Sequence, residues 1–260
     1  MSSRKSSCAM EYCQNGGTAI TISAWNKSRQ RCICVPGYTG RYCQHVVKSC
    51  RRYSNSRTAG QYKVFDDNMN LFDVFCDFDS NSTTAWTLVQ SYQLQNYHKF
   101  MKSFNLDNPI NENTPRWDFY SLSKSRMESI RNDSSKWRIT CEYDTEGVVY
   151  TDYMEGWNDI IDIMTYEQFS PSFVCSLDKH KIDYVDVRGQ NCRNCTVPII
   201  QAPYNPLHLD IYFSMCDFKP TKSLYCDSAG EDNFGRYLCT NPNHRCSFPT
   251  ATTQTWFGSP

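Results

Sequence analysis

The sequence predicts a disulfide-rich α+β protein in two parts: a small β-hairpin module stapled by cysteines, then a larger globular domain on a central antiparallel sheet. Three observations predict it. Fifteen cysteines occur in 260 residues, a usage typical of chains that fold where disulfides persist. Five of them crowd between residues 8 and 43, and a stretch of about 36 residues cannot bury enough surface to fold without staples. Between residues 60 and 92, apolar residues such as Tyr62, Val64, Phe72, Val74 and Cys76 alternate with polar ones, as in half-buried strands.

Composition bounds the function. The chain carries 27 basic and 27 acidic side chains, so it lacks the basic stripe that a phosphate backbone requires, and no nucleic-acid partner is expected. No apolar run approaches the ~18 residues of a membrane-spanning helix, so no transmembrane segment is expected. Abundant aromatics, 17 Tyr, 14 Phe and 6 Trp, can supply a packed core. N-glycosylation sequons at Asn26, Asn81, Asn132 and Asn194 join the cysteines in pointing to a secreted, extracellular protein. The first residues, Met1-Ser-Ser-Arg-Lys-Ser-Ser7, show no apolar signal core, so the expectation is that a signal lies outside this sequence.

In the first part the cysteine spacing is C-x4-C-x18-C-x-C-x8-C, from Cys8 to Cys43. Asn15-Gly16-Gly17 marks a turn into a hairpin, and Gly37 and Gly40 suit turns that need positive φ or no side chain. Tyr38 can lie across the small sheet. The run Cys32-Ile-Cys34-Val-Pro-Gly-Tyr-Thr-Gly-Arg-Tyr-Cys43 resembles an epidermal-growth-factor-like (EGF-like) domain, placed at residues 8–43. The resemblance implies Cys13–Cys32 and Cys34–Cys43 disulfides, and it puts the family's third cysteine at Ala19, leaving Cys8 without its partner. An odd cysteine suggests an intermolecular bond or a free thiol. Cys8 is therefore a candidate for a disulfide-linked homodimer, for pairing with a segment outside this sequence, or for a capped thiol. The flank Arg4-Lys-Ser-Ser7 lacks the acidic residues of calcium-binding members. Thr18 lies where members can accept O-fucose, but Ala19 replaces the cysteine that should follow it.

Residues 44–49 read as a short linker, and residues 50–260 as one domain without repeats. Cys50, Gly60-Gln-Tyr62, Leu71-Phe-Asp-Val-Phe-Cys76-Asp and Trp86-Thr-Leu-Val-Gln90 follow in an order that resembles the start of a fibrinogen C-terminal-like domain. The resemblance implies a Cys50–Cys76 disulfide, whose loop closure would contribute about 3–4 kcal/mol. Ser121–Ile130 looks like a short helix. Trp137–Tyr150 looks like a hairpin turning at Gly147, and Tyr150–Tyr153 fits a next strand. Beyond Trp157 the family's carboxylate-rich calcium loop and Gly-Gly-Trp-Trp segment are missing, so the C-terminal half is divergent. Asp227, Glu231 and Asp232 are the carboxylates left to consider for calcium, without the alternation of such a loop. No cofactor is otherwise expected.

Cys192-x2-Cys195 could be a zinc half-site or a redox pair, but no second pair of similar spacing and no βαβ context accompanies it. Structural disulfides are expected, with the partners of Cys141, Cys175, Cys192, Cys195, Cys216, Cys226, Cys239 and Cys246 left open. Ser121-x2-Lys124 lacks its companion catalytic motifs, and the five histidines form no metal-spaced pair, so no enzyme is expected. The function expected is non-catalytic recognition: lectin-like binding of glycans or acetylated groups, as the fibrinogen-like resemblance implies. The alternative is a matrix or receptor-binding adhesion protein with extracellular protein partners.

Overall fold

The computed structural model describes residues 12–24, 27–53, 58–79, 83–169, 175, 177–211, 215–221, 226 and 230–260. Sheet dominates it, and the helices are few and short. Seven disulfides staple the described residues.

The N-terminal module is a hairpin of β1 (Thr18–Ala24) and β2 (Lys27–Ile33), in register from Thr18↔Ile33 to Ala24↔Lys27. Asn15 at φ 49° and Gly16 at φ 75° form the turn that leads in. Disulfides join Cys13 to Cys32 and Cys34 to Cys43. Buried Cys13, Cys32 and Cys43, with Tyr12, Cys34, Tyr38 and Tyr42 packed around them, are this part's own small core. Ala19 is exposed and lies opposite Cys32 across the hairpin. Cys8 lies outside the described residues.

Residues 44–49 do more than join the two parts. β3 (Tyr38–Thr39) pairs with β4 (His45–Val46). Val47, fully buried, donates its N–H to Gly37 O at 2.8 Å and accepts from Phe65 N–H at 2.8 Å. Gly37 N–H in turn donates to the Tyr53 hydroxyl at 3.2 Å. Gly37 has φ +86°, and a Cβ there would stand 2.5 Å from the Phe65 ring and 2.6 Å from Leu71. The module is thus seated on the large domain through a contact that only glycine permits.

The large domain begins with β5 (Gly60–Phe65), β6 (Leu71–Phe78) and β7 (Ala85–Gln93), a meander of antiparallel neighbours tied by Cys50–Cys76. β8 (Phe119–Ser121) pairs with β7, and α1 (Lys124–Asn132) follows. The helix starts three residues later than the sequence suggested, because Ser121 is held in the sheet opposite Gln90.

β9 (Lys136–Cys141) is next. The expected hairpin at Gly147 is replaced by a short helix, α2 (Tyr143–Glu146). Gly147, at φ 70°, terminates that helix and its N–H donates to Tyr143 O, the usual role of glycine at a helix end. One antiparallel partner of β9 is instead β10 (Tyr153–Trp157). The local signal at Gly147 was real, but a packed Tyr143, 4.7 Å from the Trp256 ring, decided which kind of turn it made.

The C-terminal half continues with α3 (Leu177–His180), β11 (Lys181–Val187), β12 (Gln190–Thr196), β13 (Ile199–Ala202), β14 (Asn205–Ile211), β15 (Glu231–Asn233) and β16 (Thr252–Ser259). The main sheet runs β12-β11-β10-β9-β16-β7-β6-β5, with β8 beside β7. The last strand of the chain therefore sits in the middle of the sheet, between β9 and β7, and every residue of it is buried. β13, β14 and β15 form a separate three-stranded sheet. Four further disulfides serve this half: Cys141–Cys246, Cys175–Cys216, Cys192–Cys195 and Cys226–Cys239.

A cleft at the edge of the main sheet

Residues opposed across antiparallel strands share a face. Arg138 on β9 faces Glu155 on β10, Glu155 faces Tyr184 on β11, and Tyr184 faces Arg193 on β12. Two residues along β9, Lys136 faces Trp157 on one side and Gly258 on the other, and Gly258 faces Trp86. One face thus collects aromatic and charged side chains, while the alternate residues Trp137, Ile139, Met154 and Val185 are buried in the core. Gly258 leaves room between Trp86 and Lys136; a Cβ there would come within 2.4 Å of the Trp86 ring.

On this face lies a cleft of about 240 Å³ lined by Asp79, Thr84, Trp86, Lys136, Tyr150, Glu155, Asp183, Tyr184 and Arg193. Its walls are tyrosines. The Tyr150 ring lies 4.9 Å from Tyr153 and 6.2 Å from Tyr184, and the Tyr184 hydroxyl donates to Tyr150 O at 3.3 Å. The Lys136 ammonium donates to Glu155 at 2.5 Å and Asp183 at 2.8 Å, and lies 4.1 Å from the Trp157 ring centre. Burial alone would lower its pKa, but the hydrogen bonds to Asp183 and Glu155 outweigh burial and hold it above the ordinary lysine value. It stays charged at neutral pH. Burial, then the charges of Asp79 and Glu155, raise Tyr150; burial, then Asp186, raise Tyr184. Both phenols are therefore neutral hydrogen-bonding groups.

Beneath the cleft, Arg138 is 1% exposed and donates to Asp77 at 2.6 Å. Its guanidinium lies 4.5 Å from the Trp86 ring and 4.7 Å from Trp256, and the Tyr143 hydroxyl donates to the other Asp77 oxygen at 2.7 Å. Trp86 is 2% exposed, and its Nε1–H reaches no acceptor among the described residues.

The carboxylates considered for calcium are not in this cleft. Asp227 lies outside the described residues. Glu231 pairs with the Arg188 guanidinium and accepts from Asn233. Asp232 accepts the backbone N–H groups of Leu238 and Cys239 and stands 3.5 Å from His208. Both are buried and committed to protein partners. Of the sequons, Asn26 and Asn81 lie outside the described residues, while Asn132 and Asn194 are exposed. Cys192 and Cys195, read as a possible zinc or redox pair, are joined as a disulfide within β12. Cys141, His244 and Cys246 bring ligand atoms within 4.8 Å of one another, but both sulfurs are committed to their disulfide.

His244 sits in a buried electrostatic knot beside that bridge. Its Nε2 is 3.5 Å from Asp152, whose carboxylate accepts the backbone N–H groups of Arg188 and Arg245. Burial, then the nearby Arg188 and Arg245 charges, pushes the His244 pKa down to about 3 from 6.5. A depressed histidine is neutral when folded but takes a proton when unfolded. Its contribution to stability is present above about pH 6.5 and is lost as pH falls toward about 3. Asp210, raised to about 6 by burial and then by Asp232, acts in the opposite sense, contributing most below its ordinary value and losing this as pH rises through about 6. Replacing His244 with Gln is therefore expected to flatten the acid limb. The stability gap between parent and variant should shift by on the order of 2–3 kcal/mol between about pH 6.5 and pH 4. Denaturant titrations at both pH values check this, and a gap independent of pH would exclude His244 as the acid-sensitive group.

No family model matches the chain. Human fibulin-7 is 48% identical to it over 44 residues, 17% of this chain and 9% of fibulin-7, so the chain corresponds to less than a tenth of that relative's length. This partial similarity, with the paired cysteines, fits an EGF-like module.

Proposed function

We propose that the chain is a non-catalytic extracellular recognition protein in which an EGF-like module precedes a fibrinogen-like domain of divergent C-terminal half. The domain binds glycans or acetylated surface groups in the cleft between β9 and β12. The observation that carries this reading is the combination of tyrosine walls with charged groups held in fixed hydrogen bonds. Aromatic faces pack against the apolar faces of a sugar ring, and a few convergent polar groups fix its hydroxyls. A single such contact is weak, so a dimer linked through Cys8 would raise avidity through effective concentration.

The full chain, artificially clustered, should bind selected members of an array of glycans and acetylated compounds, tested with and without a calcium chelator. Tyr184→Ala should weaken that binding about tenfold or more, as removing an aromatic anchor does. Silence of a well-folded sample across the array would sink the reading.

A second reading, a matrix or receptor-binding adhesion protein, draws support from a groove of about 470 Å³ at the seam of the two parts, lined by residues including Val35, Pro36, Tyr38 and Tyr62. It calls for a protein partner whose binding neither free sugar nor acetate competes.

A further inference from the structure

We infer that the N-terminal module carries a binding face for a sulfated, carboxylate-bearing polysaccharide, centred on Arg29, Arg31 and Arg41. This face is separate from the cleft between β9 and β12 and does not depend on what that cleft binds. The chain's formal charge of zero averages two unequal parts. Residues 1–49 hold seven Lys and Arg against one acidic side chain, Glu11, whereas residues 50–260 hold 20 against 26. The first 65 residues contain no other carboxylate side chain. A field of one sign on a small module draws polyanions toward it.

The fold gathers part of this charge on one surface. Arg29 and Arg31 are alternate residues of β2, so they share a face of the hairpin, and both are exposed. Their partners across the hairpin are Ile22 and Ile20. Arg31 also lines a groove of about 760 Å³, together with Ile20, Ile33, Tyr38 and Arg41. Arg41 is exposed and lies over the Tyr42 ring, 5.4 Å from its centre, a contact that steadies the guanidinium without neutralising it. Arg29, Arg31 and Arg41 reach no carboxylate among the described residues, whereas Lys48 and Arg51 nearby reach Asp67 and Asp133. In the large domain Arg131, Arg138, Arg188 and Arg245 are likewise paired, with Asp162, Asp77, Glu231 and Glu146. The three arginines of the module keep their charge for a partner.

The kind of polyanion follows from the side chains. All three cations are arginines, whose planar fork donates paired hydrogen bonds to an oxyanion and so suits sulfate and carboxylate groups. Arg29 and Arg31 stand about 7 Å apart along the strand, a spacing for charges repeated along an extended chain. Ile20, Ile33 and Tyr38 give the groove apolar surface against which the faces of sugar rings can pack. Tyr38 is the only aromatic ring lining it among the described residues, whereas a single-stranded nucleic acid stacks successive bases on several. The paired cysteines fit an extracellular setting, where sulfated polysaccharides are met.

The test uses the full chain with three probes: a heparin oligosaccharide, the same oligosaccharide stripped of its sulfates, and a single-stranded DNA oligonucleotide matched in charge to the first. The heparin oligosaccharide should bind with an affinity whose logarithm falls linearly with that of salt concentration. Removing the sulfates should cost about tenfold or more. Arg29→Gln with Arg31→Gln should also cost about tenfold or more, and should make the salt dependence shallower by about 1.5, or roughly 0.7–0.9 for each cation lost. Arg116→Gln with Lys124→Gln makes the same charge change on the large domain and should leave the affinity within about twofold, as should Tyr184→Ala in the cleft. If the Arg29 and Arg31 double variant does not fold, arginine modification by a dicarbonyl reagent on the unaltered chain decides: heparin should shield Arg29 and Arg31 and leave Arg116 reactive. Undiminished binding by the double variant, or no shielding of these arginines, overturns the site. No heparin binding overturns it as well and leaves the cleft reading untouched. Tighter binding of the DNA at the same salt assigns the face to nucleic acid and overturns the polysaccharide. Salt-sensitive self-association without any polyanion, abolished by the same double variant, assigns the face to the acidic domain of a second copy and overturns it too.

Discussion

Replacing Cys141 and Cys246 together with alanine is expected to lower stability by about 4–5 kcal/mol. The bridge spans 105 residues of sequence, and in the chain-entropy picture closing a loop of this length removes about that much freedom from the unfolded state. The bridge also acts where the topology is most demanding. Cys141 ends β9, Cys246 lies just before β16, and Thr253 pairs directly opposite Cys141. The central strand β16 must find its place between β9 and β7, which lie far from it in sequence. The disulfide holds its start beside its neighbour. Denaturant unfolding of the double variant, with the other bridges intact, checks the expectation. A loss below about 1 kcal/mol would mean that the packing of β16, and not closure of the long loop, fixes the strand.

Arg138→Met is expected to cost about 3–5 kcal/mol, because it strands the Asp77 carboxylate in a buried site. Asp77 is 6% exposed and Arg138 1%. After the substitution Asp77 would keep only the Tyr143 hydroxyl among its described side-chain partners. The guanidinium is also the surface on which Trp86 and Trp256 rest, so the same change should loosen the cleft floor and weaken ligand binding. Burying an ion pair is often no better than burying apolar groups of similar size. Pairing Arg138→Met with Asp77→Leu should therefore recover most of the lost stability while failing to restore the position of Trp86. Thermal and denaturant unfolding of the two single variants and the double variant form the required cycle. A double variant as unstable as Arg138→Met alone would contradict a cost that arises from the stranded charge.

Legibility in the sequence followed the range of the interactions. The alternation of Tyr62, Val64, Phe72, Val74 and Cys76 marked β5 and β6, because a strand's two faces are written at a period of two whatever it pairs with. The glycines of the module were legible for a similar reason: positive φ at Gly16, Gly37 and Gly40 is a local demand. The cleft was not legible. Its residues come from β7, β9, β10, β11, β12 and their loops, and Lys136, Glu155, Tyr184 and Arg193 share no local motif. Trp137–Tyr150 and Tyr150–Tyr153 read as strand-forming stretches, but nothing in either states which side chains of other strands become their neighbours. Thr252–Ser259 was passed over as well, since a strand buried on both faces shows no alternation.

The sequence by itself determined a disulfide-rich chain, a stapled hairpin at its start and the strands that follow Cys50, because turn chemistry, strand periodicity and cysteine spacing act over a few residues. It read the whole as α+β, whereas sheet dominates and the helices are few and short. The tertiary structure alone decided that Gly147 ends a helix, that β16 fills the centre of the sheet, and that Cys141 meets Cys246 across 105 residues. It also decided the cleft, because strand order sets which side chains become neighbours, and strand order is settled by burying the whole core at once.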